Sequence, residues 1–293
     1  MESTLFDAEF MRKLETLRLL ARKVFRSPAS GDRTTLRRGM SLEFSDYRRY
    51  QAGDDFRYID WNVYSRLDRL FLKVFTAEED LTIHLLVDTS RSMHLGDPPK
   101  LDYARRVAAA LGYIGLNSLD RVGVISFADE LGTPMPPQRG RQQIFSMFRY
   151  FEALQSQGGT ALNRVLSNYA RQTTKTGLAI VISDLFDADG YERGLEALAY
   201  GNFDVLLIQL VDETEINPQF DGALRLNDIE TARQRRLTVN RRLLDLYRQK
   251  VAGYFEQIEV FCLKRNIEYL RASTVIPFED LVLQYLRRGF YLN

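Results

Sequence analysis

The stretch Leu81-Thr-Ile-His-Leu-Leu-Val-Asp-Thr-Ser-Arg-Ser-Met93 decides the fold. Its first seven residues have β-branched and aliphatic character without Gly or Pro, which suits a central strand covered on both faces rather than one alternating with solvent. The strand is expected to end at Asp88. Directly past that end, Asp88, Ser90 and Ser92 set one carboxylate and two hydroxyls at alternate positions. In an open α/β sheet the crevice beyond the carboxyl ends of the strands is where ligands bind. A hard-oxygen site there suits Mg²⁺, which takes six oxygens in near-octahedral geometry and usually keeps several waters. The blander reading is that Ser90 and Ser92 cap the next helix and that the acids merely end strands.

Two further stretches offer oxygens in the same kind of place. Gly158-Gly-Thr160 is a glycine turn opening an apolar helix, and Ile180-Val-Ile-Ser-Asp184 is another buried strand ending on an acid. In order and context Asp88, Ser90, Ser92, Thr160 and Asp184 resemble the metal-ion-dependent adhesion site of von Willebrand factor A domains. The resemblance implies that these five residues hold Mg²⁺ or another divalent cation.

The rest of the chain alternates helices and strands. Helices are expected over 101–119, 142–154, 191–200, 240–264 and 278–288, and strands over 121–127, 203–211 and 267–271. Pro134, Pro136 and Pro137 break the chain between two of these, and 217–236 reads as a small hairpin excursion. The fold class is therefore α/β, with a doubly wound, mainly parallel sheet of Rossmann-like, von Willebrand factor A-like type. It carries an amino-terminal helix and an extension rich in arginine and aromatics. Three regions follow: 1–35, an amphipathic helix and polar linker; 36–79, the extension; and 80–293, the α/β domain.

With 293 residues, 45% apolar and 27% charged, the chain can bury a sizeable core, and its net charge of +1 gives no overall polyanion-binding signature. The single cysteine, Cys262, excludes an intramolecular disulfide framework and reads as inert core. With that one cysteine and only His84 and His94, a zinc site or a Cys/His catalytic pair has little to build on. No signal peptide is read, and no apolar run is long enough to span a bilayer. A soluble, cytoplasmic protein is expected.

At the start, Phe10, Leu14, Leu17, Leu20 and Val24 recur at helical spacing, with Arg12, Lys13, Arg18, Arg22 and Lys23 opposite. Packing on the domain is the favoured role for this helix, ahead of lying on an anionic membrane surface. The run Ser45 to Arg69 interleaves acids, arginines and aromatics around the one tryptophan, Trp61. Between Arg37 and Lys73 eight basic residues meet six acidic ones, a balance that argues against a nucleic-acid track. It favours a network of guanidinium–carboxylate pairs among Asp54, Asp55, Arg57, Asp60 and Arg66. Trp61, by burial, and Arg57 are expected to hold this segment against the domain, with an interface as the other role. The stretch 233–250, with seven basic residues and one acid, reads as a solvated face.

The run Gly53-Asp-Asp-Phe-Arg-Tyr-Ile-Asp-Trp61, then Arg66, then Phe71-Leu-Lys-Val-Phe75 leading into the Asp88 strand, resembles the signature of the bacterial family called domain of unknown function fifty-eight. The resemblance covers the chain from about residue 36 to its end. It implies a von Willebrand factor A-like domain and a MoxR-type AAA+ ATPase as partner, since the genes of that family often lie beside those for such ATPases. Many members carry transmembrane helices that are not found here.

No Gly-x-x-x-x-Gly-Lys-[Ser/Thr] loop and no Gly-x-Gly-x-x-Gly fingerprint occurs, so neither phosphate cradle is available. A Mg²⁺-dependent phosphatase on a Rossmann-like fold is the competing reading. It lacks its acid/base two residues after Asp88, where Ser90 stands. The expectation is a non-enzymatic interaction module. Its under-neutralised metal would take an Asp or Glu from a protein partner, in the assembly or remodelling of a complex.

Overall fold

The computed structural model describes residues 5–25, 42–51, 54–77, 81–220, 222–227 and 234–288. Residues 27–35, the polar linker expected after the amino-terminal helix, lie outside them. In chain order the elements are α1 (Ala8–Phe25), β1 (Leu42–Arg49), α2 (Trp61–Leu67), β2 (Phe71–Ala77), β3 (Thr82–Asp88), α3 (Lys100–Asn117), β4 (Arg121–Phe127), β5 (Met135–Gln138), α4 (Gln143–Ala153) and α5 (Leu162–Gln172). They continue with β6 (Leu178–Ser183), α6 (Glu192–Tyr200), β7 (Asp204–Val211), α7 (Glu213–Ile216), β8 (Gly222–Asn227), β9 (Gln234–Val239), α8 (Arg241–Lys264), β10 (Glu268–Ser273) and α9 (Phe278–Arg288). Residues 30–80 form one unit, and residues 1–29 together with 81–293 form the other.

The larger unit is built on a sheet with strand order β10-β7-β6-β3-β4-β5, parallel throughout except for β5. Successive side chains of a strand point to opposite faces, and β3 divides accordingly. Ile83, Leu85 and Val87 join one core with α1, α3, α4 and α9, while Leu86 joins a second core with α5, α6 and α8. Helices on both faces are what a parallel sheet requires, and they explain why β3 is buried at every position. Cys262 is buried in the second core, and burial pushes its thiol up to about 12.

Helix α1 packs into the first core against α3 and α9, the role favoured for it from the sequence. Phe10, Leu14, Leu17 and Ala21 are its buried stripe. Leu20 was expected on that face but is 37% exposed; the 3.6-residue repeat carries the stripe from Leu17 to position 21 instead. Each fully buried Phe or Leu here contributes about 1.5–3 kcal/mol. The helix's basic side is paired at Lys13, 2.8 Å from Glu279. Among the described residues no helix is long and apolar enough to cross a membrane.

The proline cluster does not simply break the chain. Met135–Gln138 forms the antiparallel edge strand β5 on β4, with an irregular register. An edge strand bonds on one side only, so prolines without an N–H are tolerated there. The excursion read near 217–236 is the β8–β9 hairpin, which extends to Val239.

In the smaller unit β1 pairs antiparallel with β2. Asp60 is its organising acid: Oδ1 accepts from the amides of Asn62 and Val63 at 2.9 and 3.2 Å, capping α2, and Oδ2 accepts from the Tyr47 hydroxyl at 2.9 Å. Arg48 pairs with Asp54 at 2.7 Å and Arg57 with Asp55 at 2.6 Å, as the charge balance suggested. Arg66 sits exposed in the last turn of α2, where a cation complements the helix end. The expectation for Trp61 is corrected: its ring is 62% exposed and meets Tyr64 edge-on at 6.1 Å. As the residue right after the cap it faces outward, and Asp60 does the tethering inside the unit.

Candidate metal centre

The sheet order places a topological switch beside β3. From β3 the chain runs outward to β4 and β5, then crosses back to β6 on the other side of β3. Ligands bind at such a reversal, beyond the carboxyl ends of the two strands that part there. Asp88 ends one of these strands and Asp184 directly follows the other, with Val87 paired to Ile182 in register.

Both acids are fully buried. The Ser183 hydroxyl donates to Asp88 Oδ2 at 2.5 Å and the Ser90 amide to Oδ1 at 2.8 Å. Ser90 Oγ and Ser92 Oγ share a hydrogen at 3.0 Å, so the two hydroxyls converge as the Asp-x-Ser-x-Ser spacing implied. Ser90, the cap residue of the short helix Arg91–His94, makes no side-chain capping bond there. Asp184 accepts from the Phe186 amide at 3.1 Å through Oδ1 and from Lys100 Nζ at 2.7 Å through Oδ2.

Thr160 is half-buried in the loop before α5. That loop is tied to the Asp88 loop by the Gln157 amide on the Thr89 carbonyl at 2.8 Å and the Arg91 amide on the Gly158 carbonyl at 3.3 Å. It is tied to the Asp184 loop by the Leu162 amide on Asp187 Oδ2 at 2.7 Å. Gly158 has φ +75°, a left-handed conformation that favours glycine, and a Cβ there would meet Asp129 Oδ1 at 2.6 Å unless that side chain moved aside. The three loops bearing the five candidate residues are therefore joined to one another.

Burial, and then the neighbouring Asp184 carboxylate, push the Asp88 carboxyl up to about 7, against the pull of the Ser183 and Ser90 hydrogen bonds. Two neighbouring buried acids call for positive charge, which Lys100 supplies at Asp184 but not at Asp88. The donors are carboxylate and hydroxyl oxygens, a set that fits Mg²⁺. Among the described residues no three His, Cys, Asp or Glu side chains are grouped to hold a metal, so a cation here would rely on hydroxyl and water oxygens as well.

Three residues of the cluster escaped the sequence reading. Ser183 precedes Asp184 and could have been read from the strand end. Lys100 is wholly buried at the first position of α3 and bridges Asp184 and Glu215. Burial opposes its charge, but the carboxylates of Asp184 and Glu215 outweigh that and hold its pKa above the ordinary value. Glu215 belongs to a capping box with Asp212, a signature legible as Asp212-x-x-Glu215. Only the tertiary fold brings Lys100 to these acids.

An uncharacterized protein of Mycobacterium tuberculosis is 27% identical over 253 residues, covering 85% of this chain and 80% of its own length, and one of Mycobacterium bovis matches to the same extent. Among solved structures, the conserved hypothetical protein BatB from Bacteroides thetaiotaomicron aligns over 71% of this chain and 98% of its own, with 18% identity and a TM-score of 0.45. An aerotolerance-related membrane protein from Bacteroides fragilis aligns over 71% and 99%, with 16% identity and a TM-score of 0.44. Residues 46–254 match the family described as "Protein of unknown function DUF58", and the chain belongs to that family.

Proposed function

We propose that this protein is a metal-dependent protein-interaction module of the von Willebrand factor A type, without catalytic activity of its own. Asp88, Ser90, Ser92, Thr160 and Asp184 would hold Mg²⁺ or a similar divalent cation. The observation that carries the reading is the meeting of two fully buried acids with the paired hydroxyls of Ser90 and Ser92 at the switch point of the sheet. With hydroxyls making up much of the protein's share, the cation keeps positive character and favours an incoming carboxylate. A cavity of about 480 Å³ opens next to the Asp88 and Gly158 loops; its lining includes Thr89, Arg91 and Gln157 together with the acids Asp129 and Glu130.

The partner class we propose is a MoxR-type AAA+ ATPase, with which the module would act in assembling or remodelling a protein complex in the cytoplasm. The test is binding of the full-length protein to the candidate ATPase in Mg²⁺, in chelator, and with Thr160→Ala. We expect chelator to abolish binding and Thr160→Ala to weaken it at least tenfold. Binding indifferent to both treatments would refute the reading. Hydrolysis of generic phosphate esters that needs Mg²⁺ and disappears in Asp88→Ala would put a phosphatase in its place.

A further inference from the structure

Lys100 has no part in the ligand set just described, yet it contacts one of its members, Asp184, directly. Its side chain has no solvent exposure. Nζ lies 2.7 Å from Asp184 Oδ2, also pairs with Glu215 Oε1, and stands 5.5 Å over the ring of Phe186. The lysine is fixed from behind: its amide bonds the Leu95 carbonyl at 3.0 Å, and it opens an α-helix that is buried along most of its length. A buried lysine with two carboxylates is fully engaged. Removing the lysine would leave two carboxylates, Asp184 and Glu215, without their shared cation.

Glu215 links this pair to the rest of the molecule. Its Oε2 accepts from the Asp212 amide at 2.9 Å at the end of β7, and its carbonyl accepts from the Tyr247 hydroxyl of α8 at 2.6 Å. Asp212 in turn accepts from the Thr274 hydroxyl at 3.1 Å, beyond β10. Lys100 is thus the node between the loop that carries Asp184 and the corner at 212–216.

We propose that Lys100 is a positioning residue that competes with the divalent cation for the Asp184 carboxylate, keeping metal binding weak and exchangeable. The inference rests on the metal reading of this site. Lys100 already satisfies Asp184 Oδ2, so a cation entering the site meets a carboxylate that is partly neutralised and a like charge beside it. Glu215 is the second seat for the ammonium, and it lowers the cost of releasing Asp184. Occupancy of the site is thereby tied to the charge state of the 212–216 corner and, through Tyr247, to the first turns of α8.

Two substitutions pull in opposite directions. Lys100→Met keeps the length and apolar stem but removes the charge; it should bind Mg²⁺ about tenfold tighter than wild type in a calorimetric titration. It should also melt lower than wild type in chelator, where Asp184 and Glu215 have lost their partner, and recover most of that loss in Mg²⁺. Glu215→Gln leaves Lys100 to Asp184 alone and should weaken Mg²⁺ several-fold. Charge acting through space would move the two affinities in the same directions but is screened by salt, so both titrations are repeated at high salt; shifts that vanish there overturn the inference, whereas competition at a buried pair persists. Should Lys100→Met fail to fold, Glu215→Gln decides the matter, unchanged or tighter binding overturning the inference. Mg²⁺ binding in wild type that depends on Asp88 but is unchanged in Lys100→Met and Glu215→Gln overturns this inference alone. Absence of Mg²⁺ binding from wild type and both variants overturns the metal reading beneath it as well.

Discussion

His84 sits in the middle of β3, with 1% of its surface exposed. Its Nδ1 meets the Tyr169 hydroxyl at 2.7 Å, and the rings of Tyr169 and Phe203 pack edge-on to it. Burial drives its pKa down to about 4, against about 6.5 in an unfolded chain. Below pH 6.5 the unfolded chain therefore takes up a proton that the fold refuses. The stability His84 confers is complete above that pH and falls as pH drops toward about 4, by at most about 1.4 kcal/mol per pH unit. Urea unfolding at pH 7 and pH 5 should show wild type losing more stability on acidification than His84→Gln does. Equal losses would mean that the imidazole is not shielded as described. The polar residues Asp88, Ser90, Ser92 and Asp184 could be read because their types and spacing carry the chemistry locally. Lys100 could not, because its partners lie 84 and 115 residues away and are set by the sheet order.

At the scale of elements, the strands and helices of the larger unit follow closely from apolar runs and helical periodicity. Two exceptions have physical causes. Pro136 and Pro137 stand in β5 because it is an edge strand, and the buried stripe of α1 turns to Ala21 because the repeat is 3.6 residues. In the smaller unit the arginine–carboxylate pairs were legible from charge balance, but the placement of Trp61 was not, since aromatic content alone does not tell a core ring from a surface one. Phe56, Trp61 and Leu67 are each more than half exposed along the α2 region. Trp61→Ala should accordingly change the unfolding free energy by no more than about 0.5 kcal/mol, the usual range for a surface substitution. Asp60→Ala should cost more, about 0.5–2 kcal/mol for the lost cap, besides the Tyr47 hydrogen bond. Melting curves of the two variants side by side would check this order, and a large loss from Trp61→Ala with none from Asp60→Ala would reverse the account of how the unit is held.

For the whole molecule, the strand order β10-β7-β6-β3-β4-β5 is what turns scattered residues into a site. It makes β3 and β6 neighbours, brings Asp88 and Asp184 to adjacent strand ends, and leaves the Thr160 loop tied to both. Sequence periodicity gives the elements but not their order in the sheet, so the switch point and the Lys100–Glu215 bridge appear only in the folded chain. The central claim is that these residues form one divalent-cation site. The most direct test is calorimetric titration of Mg²⁺ into chelator-treated full-length protein, wild type against Asp88→Ala, with folding of both checked by circular dichroism. The account predicts saturable binding in wild type and its loss in a folded Asp88→Ala; no saturable binding in wild type, or the same affinity in both, would contradict it.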